Sequence, residues 1–203
     1  LTGLARLAGV NNAELSALVD SIGVEALHDC VTVEPHHVNW ITGFQARITL
    51  PHEHHHRTPK TIYDIIERSG LTDAAKSLAT KAFAILAEAE ATVHGCSVDE
   101  VHFHEVGALD SILDTCVAAA LFTKIAPAEF HCSPLPMCDG IIRCEHGLLA
   151  SPPPALLAQF DSTLGLAGLG AGALVLAGGS SGDGGEQKGA GWPCVAAQGG
   201  GGR

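Results

Sequence analysis

Leu15, Leu18, Val19 and Ile22 recur at intervals of three and four, the spacing that puts side chains on one face of a helix. Asn12 stands before them as a cap and Gly23 after them as a stop, so a first helix is expected there. HDCVTVEP, residues 28–35, reads as a short strand. In FQARITL, residues 44–50, Phe44, Ala46, Ile48 and Leu50 alternate with Gln45, Arg47 and Thr49. That period of two predicts a half-buried strand, which Pro51 ends.

Helical spacing returns after residue 57. Thr58 is placed to cap a helix, Pro59 suits its first position and Gly70 its end, with Ile62, Ile65, Ile66 and Tyr63 on the apolar face. A longer helix is expected over 73–94, with Leu78, Ala82, Ile85, Leu86, Ala89 and Val93 inward and Gly95 closing it. EVHFHEV is a strand candidate that runs through Gly107 into the helix DSILDTCVAAALFTKI. EFHCSPL and GIIRCEHG are two more strand candidates, and the prolines 152–154 open a last short helix, PALLAQF. Strands in pairs with several helices between them predict an α+β fold, a layered sandwich of a mixed sheet with several helices.

Composition changes this picture in one place. Residues 161–203 hold 15 of the 24 glycines and few large side chains. Little burial is available there to offset an ordering cost of roughly 1–2 kcal/mol per residue. The expectation is therefore one α+β domain over 1–160 and a disordered glycine-rich tail over 161–203. The apolar part of the tail is too short and glycine-rich to span a bilayer, which takes about 20 apolar residues. A net charge of −11 with no basic stripe argues against a nucleic-acid partner. Seven cysteines without framework spacing suit reduced thiols in a cytoplasmic compartment. The chain opens on Leu1 rather than methionine, which leaves a preceding targeting segment open.

Histidine is the anomaly: the chain has 12, against 11 lysines and arginines together. His52, His54, His55 and His56 fall within five residues, with Glu53 among them. Side chains two apart on a strand share a face, with Cα atoms roughly 6.7 Å apart, and two such imidazoles can converge on one ion. Three in a row would span about 13 Å, so the useful unit is a His-x-His pair completed from elsewhere. The chain has a second such unit in His102 and His104, where Val101 and Phe103 point to the core and the two histidines to the other face. Glu105 joins them only where the chain turns before Gly107, and Asp110 and Asp114 share one face of the next helix. Each group has a plain alternative: solvated histidines at a wet corner, and Asp110 as a residue favoured by the helix dipole. The recurrence is what points to a transition metal.

A third group, FHCSPLPMCDGIIRCEHGLL, holds His131, Cys132, Cys138, Cys144 and His146. Cys144 and His146 are again two apart, so a continuous strand would aim both the same way, while Cys132 and Cys138 read as small buried hydrophobes. No P-loop, GxGxxG or Cys-x-x-Cys is present.

These motifs resemble a known family. HEHHHRTPKTIYDIIERSGLTDAAKSLATKAFAILAEAEATVHG, VHFHEVGALDSILD and SPLPMCDGIIRCEHGLLASPPPALL look like the LarC family of nickel-insertion proteins, in order over roughly residues 1–160. The resemblance implies insertion of nickel into pyridinium-3,5-bisthiocarboxylic acid mononucleotide, the precursor of the nickel-pincer cofactor, in a chelatase reaction coupled in the family to CTP hydrolysis with a divalent cation. By position, the family's histidine-rich segment falls on His52, His54, His55 and His56. Its HFHE-VGA-D motif falls on His102, His104, Glu105 and Asp110, and its C-x-HG element on Cys144 and His146. The chain departs from the family in starting after its opening strand and Ser-Gly-Asp-Met turn, in carrying Cys138 at a usual glycine, and in losing the match after about residue 160. The expected partner is thus a small-molecule precursor, without nucleic acid or membrane; a homo-oligomer is allowed. Arg57, Lys60 and Arg143 are candidates for the precursor's phosphate. The rival expectations are a metal-binding module without catalysis and an inactive truncated fragment.

Overall fold

The computed structural model describes residues 1–51, 57–103, 106–129, 139–144 and 146–161. Its helices are α1 (Thr2–Leu7), α2 (Asn12–Asp20), α3 (Pro59–Arg68), α4 (Asp73–His94), α5 (Leu109–Ile125) and α6 (Pro154–Asp161). Its strands are β1 (Val31–Val38), β2 (Ile41–Ile48), β3 (Ile141–Cys144) and β4 (Gly147–Ala150), and single 3-10 turns lie at Glu25–Leu27 and Val98–Glu100. The class is α+β, as the pattern predicts. Among the described residues the strands pair as two separate antiparallel ladders, β1 with β2 and β3 with β4. The expected tail lies outside the described residues from position 162 onward.

The core is organised around α5. Its sequence carries almost no charge after Asp114, and a helix apolar all round belongs inside. Ile112, Leu113, Cys116, Val117 and Leu121 are fully buried. Helix α4 lies along it, α3 and α6 pack on α4, and α1 and α2 reach α5 as well. Each large aliphatic side chain so buried contributes roughly 1.5–3 kcal/mol.

Several local predictions hold with a shifted detail. The cap of α2 is Asn11, one residue earlier than expected, in a reciprocal box with Glu14. Asn12 instead holds β1: its amide donates to the Val33 carbonyl at 3.1 Å and its side-chain oxygen accepts from the Val33 N–H at 2.8 Å. Helix α1 lies in a stretch for which no element is predicted. Helix α3 starts on Thr58 and Pro59 as predicted and buries Ile62 and Ile66. Gly95 closes α4 with φ 65°.

Two expectations need correction. FQARITL forms a strand, but its apolar face is largely exposed: Phe44 and Ile48 keep much of their surface, and only Ala46 and Leu50 are half-buried. The β1–β2 hairpin reaches out past the helices, and the Arg6 guanidinium, 4.1 Å from the Phe44 ring centre, is what covers that ring. The buried stripe of α4 also differs. It runs through Ala75, Ala79, Phe83, Leu86, Ala87, Ala89 and Ala91, which keeps the expected Leu86 and Ala89, while Leu78, Ala82 and Ile85 are half-buried and Val93 is exposed. Large aliphatics marked the expected face; the real one uses alanines, whose small size lets two helix backbones approach closely.

Candidate metal centre

Around the second histidine motif the backbone explains itself. Val101 and Phe103 are buried and His102 between them is exposed, the alternation the sequence predicts. Phe103 rests against Phe83, with ring centres 6.2 Å apart. Among the described residues this stretch forms an antiparallel bridge, Arg57 with Phe103, in which the Phe103 N–H donates to the Arg57 carbonyl at 3.0 Å. The Arg57 guanidinium then donates to the Gly107 carbonyl at 2.8 Å. A Cβ on Gly107 would lie 2.9 Å from the Phe103 Cβ, 3.0 Å from its carbonyl oxygen and 3.3 Å from the Arg57 nitrogen. Glycine is therefore required here by a three-way approach of backbones.

That clip has a functional meaning. Arg57 is the residue after the histidine run, and Phe103 is the residue between His102 and His104. Two motifs 50 positions apart are joined at their edges by main-chain hydrogen bonding. The side chains of His52, His54, His55, His56, His104 and Glu105 lie outside the described residues, as do His131, Cys132 and Cys138.

Asp110 and Asp114 sit on the first turns of α5. The Asp110 carboxylate accepts from the Ser111 N–H at 2.7 Å, an ordinary helix-start contact. Asp114 is less settled: its buried Oδ1 has no hydrogen-bond partner among the described residues. Burial pushes its pKa up, and the Asp110 carboxylate adds in the same direction. A raised folded-state pKa means that the charged form costs stability above that pKa, and that the cost fades as pH falls toward the ordinary carboxylate value. Asp114→Asn should therefore raise the melting temperature at pH 7 by a few degrees, for a cost of order 1–3 kcal/mol relieved. The gain should shrink as pH is lowered toward about 4. Thermal melts of both proteins across pH check this; an equal gain at every pH would remove the buried charge as its cause.

The third motif is corrected by the structure. GIIRCEHG is not one strand: β3 ends at Cys144, which pairs with Gly147 of β4, and His146 lies in the turn between them. Gly147, at φ 92°, permits that tight reversal. Cys144 and His146 consequently do not share a strand face. His146 instead reaches the end of α4, where its ring centre is 5.1 Å from that of His94. Glu90, one turn earlier on α4, places a carboxylate oxygen 3.3 Å from His94 Nε2. These residues and Gln159 supply the polar lining of a cavity of about 170 Å³ whose apolar walls include Leu86, Val106, Leu149 and Leu156. His94 and Glu90 were not among the residues the sequence singled out. Their signal is a Glu and a His four apart at a helix end, which in one sequence looks like a helix-stabilising pair.

Among the described residues no three His, Cys, Asp or Glu side chains converge as a metal site. Of the described thiols, Cys30 and Cys116 are buried, and burial raises both, Cys116 to about 12, so neither is a ready thiolate.

A family profile described as "Nickel insertion protein" matches residues 1–169. The chain belongs to the nickel insertion protein family. Curated relatives named pyridinium-3,5-bisthiocarboxylic acid mononucleotide nickel insertion protein include one from Akkermansia muciniphila, 45% identical over 116 residues, 56% of this chain and 29% of that protein. Another, from Alkaliphilus metalliredigens, is 44% identical over 136 residues, 66% of this chain and 32% of that protein. A third, from a Nocardioides species, is 38% identical over 151 residues, 73% of this chain and 37% of that protein. The chain spans about a third of the length of the curated relatives it matches. No solved structure matches it. Among the described residues no helix is long and apolar enough to cross a membrane. The family's nickel is cargo, and the clip, Gly107 and the hairpin turn all fall on the motifs that carried the resemblance.

Proposed function

We propose that this chain takes up Ni(II) and hands it to pyridinium-3,5-bisthiocarboxylic acid mononucleotide. The observation that carries the reading is the Arg57–Phe103 clip, because it ties the two histidine motifs of a nickel-insertion family member to one edge. The ligands are drawn from His52, His54, His55, His56, His102, His104, Glu105 and Asp110, with Cys144 and His146 on the neighbouring hairpin. Neutral imidazoles and carboxylates hold Ni(II) exchangeably, and the precursor's softer thiocarboxylates take it over. Imidazole must be neutral to bind, so affinity falls as pH is lowered. The reaction is that of a chelatase in the cytoplasm. Coupling to CTP hydrolysis rests in this reading on the family resemblance alone, and the chain spans about a third of the length of the relatives it matches. The second reading is a nickel carrier that performs no insertion, since the histidine motifs account for uptake without the transfer step.

Calorimetric titration of Ni(II) into the wild type and a His102→Ala/His104→Ala variant tests the uptake. We expect at least a tenfold loss of affinity in the variant; equal affinities would remove both histidines from the site. Incubating the nickel-loaded chain with the precursor separates the readings: the nickel-bound product supports insertion, and its absence with tight nickel binding leaves the carrier.

A further inference from the structure

Every residue from 34 to 45 is exposed, so the outer half of the β1–β2 hairpin stands clear of the helices. A two-stranded hairpin is marginally stable alone in water and needs a further strand or a packed face. The base of this one is supported. Asn12 caps the outer edge of β1 at Val33, and the Ala46 N–H donates to the Thr2 hydroxyl on the outer edge of β2. Toward the tip, Thr42 and Phe44 turn their main-chain groups outward, and among the described residues nothing pairs with them. Pro35 blunts the other edge, having no N–H to offer.

The turn itself is unusual. Val38 pairs with Ile41, so Asn39 and Trp40 alone make the reversal, with φ 47° and 69°. Both values lie in the left-handed region, where a two-residue hairpin turn takes Asn followed by Gly. Tryptophan stands at the glycine position, against the preference of a bulky side chain, and its ring is fully exposed. Val38 and Ile41, which share one face of the ladder, are 56% and 74% exposed. An indole displayed at this point adds no burial to the fold, and its strained backbone points to a use outside it.

Charge narrows what that use is. The chain carries −11, yet residues 31–48 hold one carboxylate and one guanidinium, Glu34 and Arg47, paired at 2.9 Å. A second copy is repelled by an acidic surface and is free to approach this neutral end. A two-fold contact sets a patch against itself, and an apolar tip with no unpaired charge is its own complement. The area also suffices. Trp40, Ile41, Val38 and the exposed part of Phe44 offer roughly 500 Å², so two tips together reach about 1,000 Å², where specific interfaces begin.

We propose that the hairpin tip, with Val38, Trp40 and Ile41 as its apolar contacts, is a two-fold interface between two copies of this chain. Trp40 is the anchor, and the open edge of β2 lies beside it for a strand of the second copy. No residue of the histidine motifs belongs to this surface, so the inference goes beyond the nickel reading and stands apart from it.

Sedimentation velocity of the full chain over a concentration series tests the interface. The wild type should pass from 20.8 kDa to twice that mass, with a Kd in the micromolar range that suits a small interface. Trp40→Gly separates docking from folding. Glycine suits the left-handed turn, so the monomer should melt at the same temperature or higher, while dimerisation weakens about thirtyfold or more. Ile41→Glu sets two carboxylates against each other across the axis and should abolish the dimer, with circular dichroism confirming the fold. A wild type that stays monomeric at the highest concentration, or a dimer that survives both substitutions, overturns the proposal. Flotation of a monomeric wild type with phosphatidylcholine vesicles overturns it too, and gives the tip to a lipid surface instead.

Discussion

Phe103→Ala is expected to destabilise the protein by about 3–5 kcal/mol and to weaken nickel uptake in the same step. The ring is fully buried between α4 and the start of α5, against Phe83, and its own N–H makes the bridge to Arg57. Truncation leaves a cavity in the one place where core packing and motif geometry coincide. Since total stabilities run near 5–15 kcal/mol, the loss is a large share, and a fall in melting temperature of about 10 °C should follow. Phe103→Leu, which keeps most of the volume, should cost less than about 1.5 kcal/mol and retain nickel binding. Urea unfolding and Ni(II) titration of both variants check the pair. An unchanged melting temperature in Phe103→Ala would show that this residue does not anchor the clip.

Gly107→Ala should give the second large effect, for a different reason. The new methyl group meets backbone: the Phe103 carbonyl at 3.0 Å and the Arg57 nitrogen at 3.3 Å, besides the Phe103 Cβ at 2.9 Å. Backbone cannot swing aside as a side chain does, so the two strands of the clip must separate. Overpacking of this kind costs about 1–3 kcal/mol. The Arg57 guanidinium would also lose its alignment on the Gly107 carbonyl. Gly43 offers the control, because a Cβ there meets nothing within 4 Å. Gly43→Ala should leave melting and nickel affinity alone, while Gly107→Ala lowers both. Similar behaviour of the two variants would contradict the packing account.

The sequence revealed most where one residue type has one job. Thr58 and Pro59 start α3, Gly95 ends α4, and the period of two around His102 survives in the burial of Val101 and Phe103. It misled where size was taken as a guide to burial. On α4 five alanines face inward with Phe83 and Leu86, while the larger Leu78 and Ile85 stay half-buried. FQARITL alternates faithfully, yet no period in a strand says what will cover its apolar side. At the candidate site, the pairing of Arg57 with Phe103 and of His94 with His146 are contacts between remote segments. One sequence carries no direct mark of such contacts. The turn at His146 was legible in Gly147, which a strand interior would not favour.

The alanine seam of α4 has a consequence for tuning. A helix of 22 residues is about 33 Å long and moves nearly as a rod. Ala75 and Ala79 lie near one end and His94 at the other, so the depth of that methyl-lined contact sets where the distant imidazole rests. Enlarging Ala79 would tilt the rod and move the ring of His94, about 22 Å away along the axis, without altering any of that ring's own neighbours. The resting place of side chains at the far end of α4 is therefore adjustable from small buried positions with no chemistry of their own.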